Sequence, residues 1–166
     1  GEAGITREEC DSITLRRYAQ YQDALADERA FQKRYMFPVQ LKISRKKTIT
    51  IEADEGVTET NAEGLEKLRP VMPDGVHTFG SQTHPADGQS AITVTTREKA
   101  AELSEDANVR IQVMSYGYAR TKKAHMAMAV APASKMALDK ANIKASDLTA
   151  VKTHNPFASN DLYLAK

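Results

Sequence analysis

The run Thr149-Ala150-Val151-Lys152-Thr153 alternates as an extended segment and then stops at His154-Asn155-Pro156. In such a segment Val151 and Thr153 face one side and Ala150 the other. A proline drives the residue before it out of the helical region, so the chain must turn there. Just downstream, Ser159 or Asn160 can cap a helix running into Leu162, Tyr163 and Leu164. The expected unit is a strand, a tight polar turn holding His154 and Asn155, and a helix behind it. α/β proteins present side chains at the carboxyl ends of strands in this way. Taken alone, the turn has two readings: His154 and Asn155 do chemistry, or they satisfy the turn's own backbone groups.

The rest of the chain limits what such a unit can belong to. At 166 residues there is enough chain for a domain with a real core, and 41% apolar with 27% charged residues is a globular composition. Lys+Arg 23 against Asp+Glu 22 leaves a formal charge of +1, which gives no electrostatic footprint for nucleic acid. No apolar run approaches the roughly 18 residues of a membrane span. No signal-peptide pattern opens the chain. One cysteine excludes an intrachain disulfide and fits a reducing compartment, so a cytoplasmic location is expected.

In chain order, Thr6 with Glu9 three residues later is a capping-box pattern, with Ile5 and Cys10 at the staple positions. Cys10, Ile13, Tyr18, Tyr21 and Leu25 then recur at helical spacing, and Arg16, Arg17, Gln20 and Gln22 read as the solvated face. Residues 27–34 are charged and helix-compatible until Met36-Phe37-Pro38. Residues 39–51 read as a hairpin, its first strand half-buried, around the basic turn Ser44-Arg45-Lys46-Lys47. That turn is either solvated or a phosphate contact. Asn61 can cap a short helix through Leu65 and Leu68, which Pro70 ends.

Residues 72–88 have no helical period and form a long loop, a kind of segment that is often functional. Beyond it, 91–94 and 109–113 read as strands, and Thr95 with Glu98 as a second capping box. Pro132 stands near the start of a helix that ends at Asn142. The methionines there read as packing. Strand–helix alternation after residue 90 argues for an α/β fold, with an inserted helix-and-hairpin region in front.

Cys10 sits in a first helical turn, where a thiol pKa can fall. Glu8, Glu9 and Asp11 flank it, though, and negative charge opposes the thiolate, so a packing role is expected. His77, His84 and His125 lack metal-ligand spacing and matching cysteines, so no metal site is expected.

Several of these stretches resemble the thiolase family in the same order along the chain. His154-Asn155-Pro156-Phe157-Ala158 resembles Asn-Glu-Ala-Phe-Ala in a His-containing variant. Gly4-Ile5-Thr6-Arg7-Glu8-Glu9-Cys10-Asp11 is similar to Gly-Ile-Ser-Arg-Glu-Glu-Gln-Asp. Asp54-Glu55 followed by Leu65-Glu66-Lys67-Leu68-Arg69-Pro70-Val71 looks like the tail of the family's loop domain. Residues 80–88 resemble Gly-Asn-Ala-Ser-Gly-Ile-Asn-Asp-Gly, and Ala131-Pro132-Ala133 resembles part of Gly-Pro-Val-Pro-Ala.

The resemblance implies a fragment of the thiolase fold: a mixed sheet with helices on its faces and part of an inserted loop domain. Residues 1–76 would be the end of the loop domain, 77–106 the last strand region and helix of the first half, and 107–166 the start of the second half. It implies an acyl-CoA acyltransferase that makes or cleaves 3-oxoacyl-CoA through a cysteine acyl-enzyme. A coenzyme A thioester would be its substrate and no cofactor would be tightly bound. A homo-oligomer is implied at full length, with no nucleic-acid or membrane partner.

By residue, the resemblance places His154 at the position that holds an oxyanion-hole water. Thr83 falls on the serine of the loop around the pantetheine arm. Pro156 and Phe157 line the acyl and pantetheine pocket, and Met72 joins them as a coenzyme A contact. The family's second loop asparagine falls on Ala86, and the arginine that commonly follows Asp-Glu is missing near Val57-Thr58, leaving Arg69 as a substitute. The family's nucleophilic cysteine would lie before residue 1, and its Gly-His-Pro and second cysteine motifs after Lys166, so this chain alone is expected to be inactive. The alternative is a non-catalytic acyl-CoA- or protein-binding module on the same scaffold.

Overall fold

Helix α1 (Arg7–Ala24) begins at a complete capping box. Thr6 Oγ1 accepts from the Glu9 N–H at 3.2 Å, and the Glu9 carboxylate accepts from the Thr6 N–H at 2.9 Å. In this computed structural model, which describes residues 2–84 and 86–166, the chain divides into two compact units. The first comprises residues 1–85 and 153–166, and the second 86–152. Pro85, inside the long loop expected over 72–88, lies outside the described residues.

The first unit is built on the pairing of α1 with α6 (Ala158–Ala165). Ile5, Cys10 and Ala158 form its buried cluster, with Ile13, Val76, Leu162 and Tyr163 packed around it. The cap therefore does two jobs: it ends the helix and it sets the angle at which Ile5 folds back on Cys10. Arg7 ties α1 to α3 (Ala62–Glu66), donating to the Leu65 carbonyl at 2.8 Å. That carbonyl, in the last turn of α3, also accepts from the Leu68 N–H at 3.0 Å. Asn61 caps α3 as expected, its Oδ1 accepting from the Gly64 N–H at 2.8 Å.

Helix α2 (Ala26–Lys33) departs from the expected regular helix, because Asp27, Glu28 and Arg29 have φ of 51°, 54° and 66°. Each such residue costs about 1–2 kcal/mol. The turn is held by side chains: Arg29 Nε donates to Gln32 Oε1 at 2.9 Å, and the buried Gln32 donates to Asp54 Oδ2 at 2.8 Å. The hairpin forms in the expected place, β1 (Val39–Ser44) antiparallel to β2 (Lys47–Ile51), with Val39 opposite Ile51 and a bulge between Lys42 and Ser44. β1 is exposed along its length and not half-buried, since nothing among the described residues covers Val39, Leu41 and Ile43.

The second unit holds α4 (Arg97–Leu103) and α5 (Val130–Ala141). α5 ends at Asn142 in the left-handed conformation (φ 54°), as its sequence predicts. Segment 115–117 lies against α5: Ser115 Oγ donates to the Ala137 carbonyl at 2.6 Å, and a Cβ at Gly117 would meet the Ala137 nitrogen at 2.9 Å. Met126 is 66% exposed, so it does not pack as expected.

Three further expectations are corrected here. The N-cap of α4 is Thr96, whose Oγ1 accepts from the Lys99 N–H at 3.3 Å, and not Thr95. Neither Ser159 nor Asn160 caps α6; both lie inside its first turn, after Phe157. The expected strands at 91–94, 109–113 and 149–153 join no ladder among the described residues. Alternation decides which way side chains face, but a strand also needs a neighbour about 4.8 Å away. None of the described residues supplies one, and Ile92 and Ile111 stand 88% and 91% exposed. Among the described residues, no helix is long and apolar enough to cross a membrane.

Cys10 is fully buried, and its thiol pKa is pushed up to about 11, by burial first and then by the charges of Asp11 and Glu9. A thiol-specific reagent at pH 8 should therefore modify this single cysteine only as fast as the chain opens. Cys10→Ala should cost on the order of 1 kcal/mol in denaturant unfolding, from the packing lost.

Candidate functional site

The loop over 77–83 is brought to the start of α6 by local geometry. Gly80 lies so close to α3 that a Cβ there would run into Leu65 and come within 2.9 Å of Leu68 Cδ1, so only glycine lets the loop seat. Seated there, the loop pairs with 156–158 through an antiparallel bridge between Gln82 and Phe157. The Thr83 N–H donates to the Pro156 carbonyl at 2.8 Å, and the Ala158 N–H donates to the Ser81 carbonyl at 2.9 Å. Three of the residues singled out from sequence, Thr83, Pro156 and Phe157, are thereby placed side by side. His154 is two residues from Pro156, exposed, and makes no side-chain hydrogen bond or ion pair among the described residues. Met72 is not joined to this group by any hydrogen bond. It is 66% exposed on a neighbouring turn closed by the Gly75 N–H donating to its carbonyl at 3.0 Å.

Beneath the paired segments lies His77, which no local motif singles out. The His77 ring stacks on Phe157, tilted 48° with centroids 5.1 Å apart. Its Nε2 is 2.9 Å from Ser159 Oγ and its Nδ1 is 3.3 Å from Ser81 Oγ. Ser81 Oγ also accepts from the Thr78 N–H at 3.0 Å. A neutral imidazole donates from one nitrogen and accepts at the other, so it can bridge the loop and α6 without charge. Burial lowers the His77 pKa below its ordinary value.

Asp161, on the first turn of α6, is a second group that no motif singles out. Its Oδ1 accepts from Thr153 Oγ1 at 2.5 Å. Its Oδ2 accepts from Arg17 Nη2 at 2.6 Å, Arg17 Nε at 3.0 Å and Asn155 Nδ2 at 3.2 Å. Arg17 is thus not an idle member of the solvated face of α1. Burial pushes the Asp161 pKa up, but the hydrogen bonds from Thr153, Arg17 and Asn155 and the Arg17 charge outweigh it, and the net shift is downward. The advance signal for Asp161 is its place as an acidic side chain in a first helical turn, where the helix dipole favours it.

With this geometry in view, the comparisons with known proteins agree on one family. The model for the N-terminal domain of thiolase matches residues 1–98. A 3-ketoacyl-CoA thiolase from Pseudoalteromonas translucida is 34% identical over 166 residues, covering 98% of this chain and 42% of that protein. The crystal structure of the Bacillus anthracis acetyl-CoA acetyltransferase superposes with a TM-score of 0.82 at 26% identity, covering 96% of this chain and 40% of that one. Human mitochondrial 3-ketoacyl-CoA thiolase gives a TM-score of 0.79 at 28% identity, with the same coverage of 96% and 40%. The chain belongs to the thiolase family, and its fold is a mixed helix-and-sheet piece of the thiolase fold. It spans about two-fifths of the length of these relatives.

The two perturbed groups make the stability of the first unit pH-dependent in two separate steps. For His77 the unfolded pKa is 6.5 and the folded value lies below it, so between the two the unfolded chain binds more protons. Its contribution is complete above 6.5 and is lost as pH falls through the folded pKa. Asp161, lowered from 3.8, contributes fully above that value and is lost as pH falls further. Melting temperatures measured from pH 7.5 to 3 should fall in both windows. His77→Gln should flatten the upper one and Asp161→Asn the lower.

Proposed function

We propose that this chain is part of a thiolase-type acyltransferase that makes or cleaves 3-oxoacyl-CoA through a cysteine acyl-enzyme, with His154-Asn155-Pro156-Phe157 as a variant of the family's Asn-Glu-Ala-Phe motif. One observation carries the reading: residues 81–83 pair with 156–158, so that Thr83, Pro156 and Phe157 adjoin, with His154 two residues before Pro156 in the chain. In this reading the Phe157 ring offers an apolar wall and the Thr83 hydroxyl a polar contact to the pantetheine arm of a coenzyme A thioester. Met72 contributes a further apolar contact from its exposed turn.

His154 would hold a water that donates to the enolate oxygen as negative charge develops next to the thioester. A neutral imidazole suits this, because one ring nitrogen can accept from the water while the other stays protonated. Cys10 takes no part: it is buried, and its thiol stays protonated near neutral pH. Residues 1–76 would then belong to the inserted loop domain, 77–106 to the end of the first half and 107–166 to the start of the second. A homo-oligomer and an acyl-CoA substrate follow from the same reading.

Two measurements test it. The 166-residue chain by itself should show no thiolysis of acetoacetyl-CoA, and turnover by the purified chain would overturn the assignment of a nucleophile elsewhere. In the full-length enzyme, His154→Ala should lower kcat by about 10²- to 10³-fold, the usual loss for one oxyanion donor. KM should change little. His154→Asn should recover much of the rate, because an amide can also hold the water. A histidine that only stabilises the turn would instead lower the melting temperature and leave kcat of the folded fraction unchanged.

A further inference from the structure

The turn that carries His154 is held in an unusual way. Among the described residues, no backbone hydrogen bond involves residues 153–155; the nearest are those of Pro156, Phe157 and Ala158. Among the described residues, the hydrogen bonds from this tripeptide both end on one carboxylate: Thr153 Oγ1 to Asp161 Oδ1 at 2.5 Å, and Asn155 Nδ2 to Asp161 Oδ2 at 3.2 Å. These two contacts bracket His154. The carboxylate is itself oriented from α1, where Arg17 reaches Oδ2 through Nη2 at 2.6 Å and Nε at 3.0 Å. A further bond, Arg17 Nη1 to Gln20 Oε1 at 3.1 Å, steadies the guanidinium. Asp161 is the better buried partner, its side chain 12% exposed against 46% for Arg17.

From this geometry we infer that Asp161, oriented by Arg17, is the positioning residue for His154, gripping Thr153 and Asn155 on either side so that the imidazole projects from a fixed turn. The inference rests on the proposed role of His154. It adds what that role requires, because a donor set for a developing charge must be held in place before the reaction. A side chain with no hydrogen bond of its own inherits its direction from its backbone, and here that backbone is fixed through one carboxylate. Misplacement of a reacting group by 1 Å can cost about 10²-fold in rate, so the clasp is placed to matter.

The test uses the full-length enzyme in acetoacetyl-CoA thiolysis, with kcat and KM measured separately. Asp161→Asn keeps the size of the side chain but removes the charge that Arg17 pairs with. It should lower kcat by about 10- to 10²-fold, with KM within about twofold. Thr153→Val, which removes only the hydroxyl, should lower kcat in the same direction, and Thr153→Ser should restore it. Because Asp161 acts through His154, adding Asp161→Asn to His154→Ala should cost nothing further.

If His154→Ala loses kcat while Asp161→Asn and Thr153→Val keep it, the positioning role is wrong and the role of His154 stands. Fully additive losses in the double variant would also overturn it. If His154→Ala keeps wild-type kcat, the reading of His154 falls and the positioning role falls with it. Should Asp161→Asn fail to fold, the Thr153 pair decides the question alone.

Discussion

The seam between α1 and α6 is the contact on which the first unit depends. At one end of it Cys10 and Ile5 are buried against Ala158; at the other Arg17 grips Asp161. The two ends contribute differently. Fully burying an aliphatic side chain is worth about 1.5–3 kcal/mol. With the Arg17 side chain 46% exposed, the ion pair contributes less, about 0.2–1 kcal/mol. The apolar end is small, since Ile5, Cys10, Leu65 and Ala158 are the buried hydrophobic residues among those described. The polar end adds to it. It also acts directionally: apolar packing brings α6 to α1, and the Arg17–Asp161 pair decides how the turn before α6 is presented.

The same seam explains the placement of the 77–83 loop. Val76 packs against the Cys10 cluster, and His77 then spans from Ser81 to Ser159. The loop is thus pinned at its root by apolar contact and along its length by a neutral imidazole. Its edge pairs with 156–158. Thr83 and Phe157, 74 positions apart in the chain, adjoin for that reason.

What could be read from the chain was whatever a few neighbouring residues decide among themselves. The Thr6–Glu9 box, the Asn61 cap, the Asn142 stop and the hairpin all depend on groups within a handful of positions, and all are present. The displaced cap at Thr96 shows the limit of that logic: two adjacent threonines offer the same chemistry, and only the entry angle of the chain chooses between them. Ser159 has a hydrogen-bonding partner in His77, 82 residues earlier, and Asp161 has one in Arg17, 144 residues earlier. No local pattern announces either. The alternating runs at 91–94 and 109–113 failed as strands because pairing is a property of two segments, and periodicity describes only one. The family resemblance pointed to Thr83, Pro156 and Phe157, which the 82–157 bridge brings together, and to His154, whose role is the proposal above. The site was not legible where support comes from another element, as with His77, Asp161 and Arg17.

The discontinuity of the first unit bears on how the chain is made. Cys10 leaves the ribosome well before Ala158, which covers it and is added 148 positions later. The whole of 86–152 must emerge in between. At about 5–20 residues per second, that leaves the apolar face of α1 uncovered for roughly 7–30 seconds of synthesis. The entropy of closing so long a loop rises only as the logarithm of its length, so the delay is a matter of order of appearance more than of thermodynamic cost. During that interval the capping box can still hold α1 as a nascent helix, because Thr6 and Glu9 need nothing from the rest of the chain. The nascent chain thus carries the cap of a helix well before that helix's partner exists.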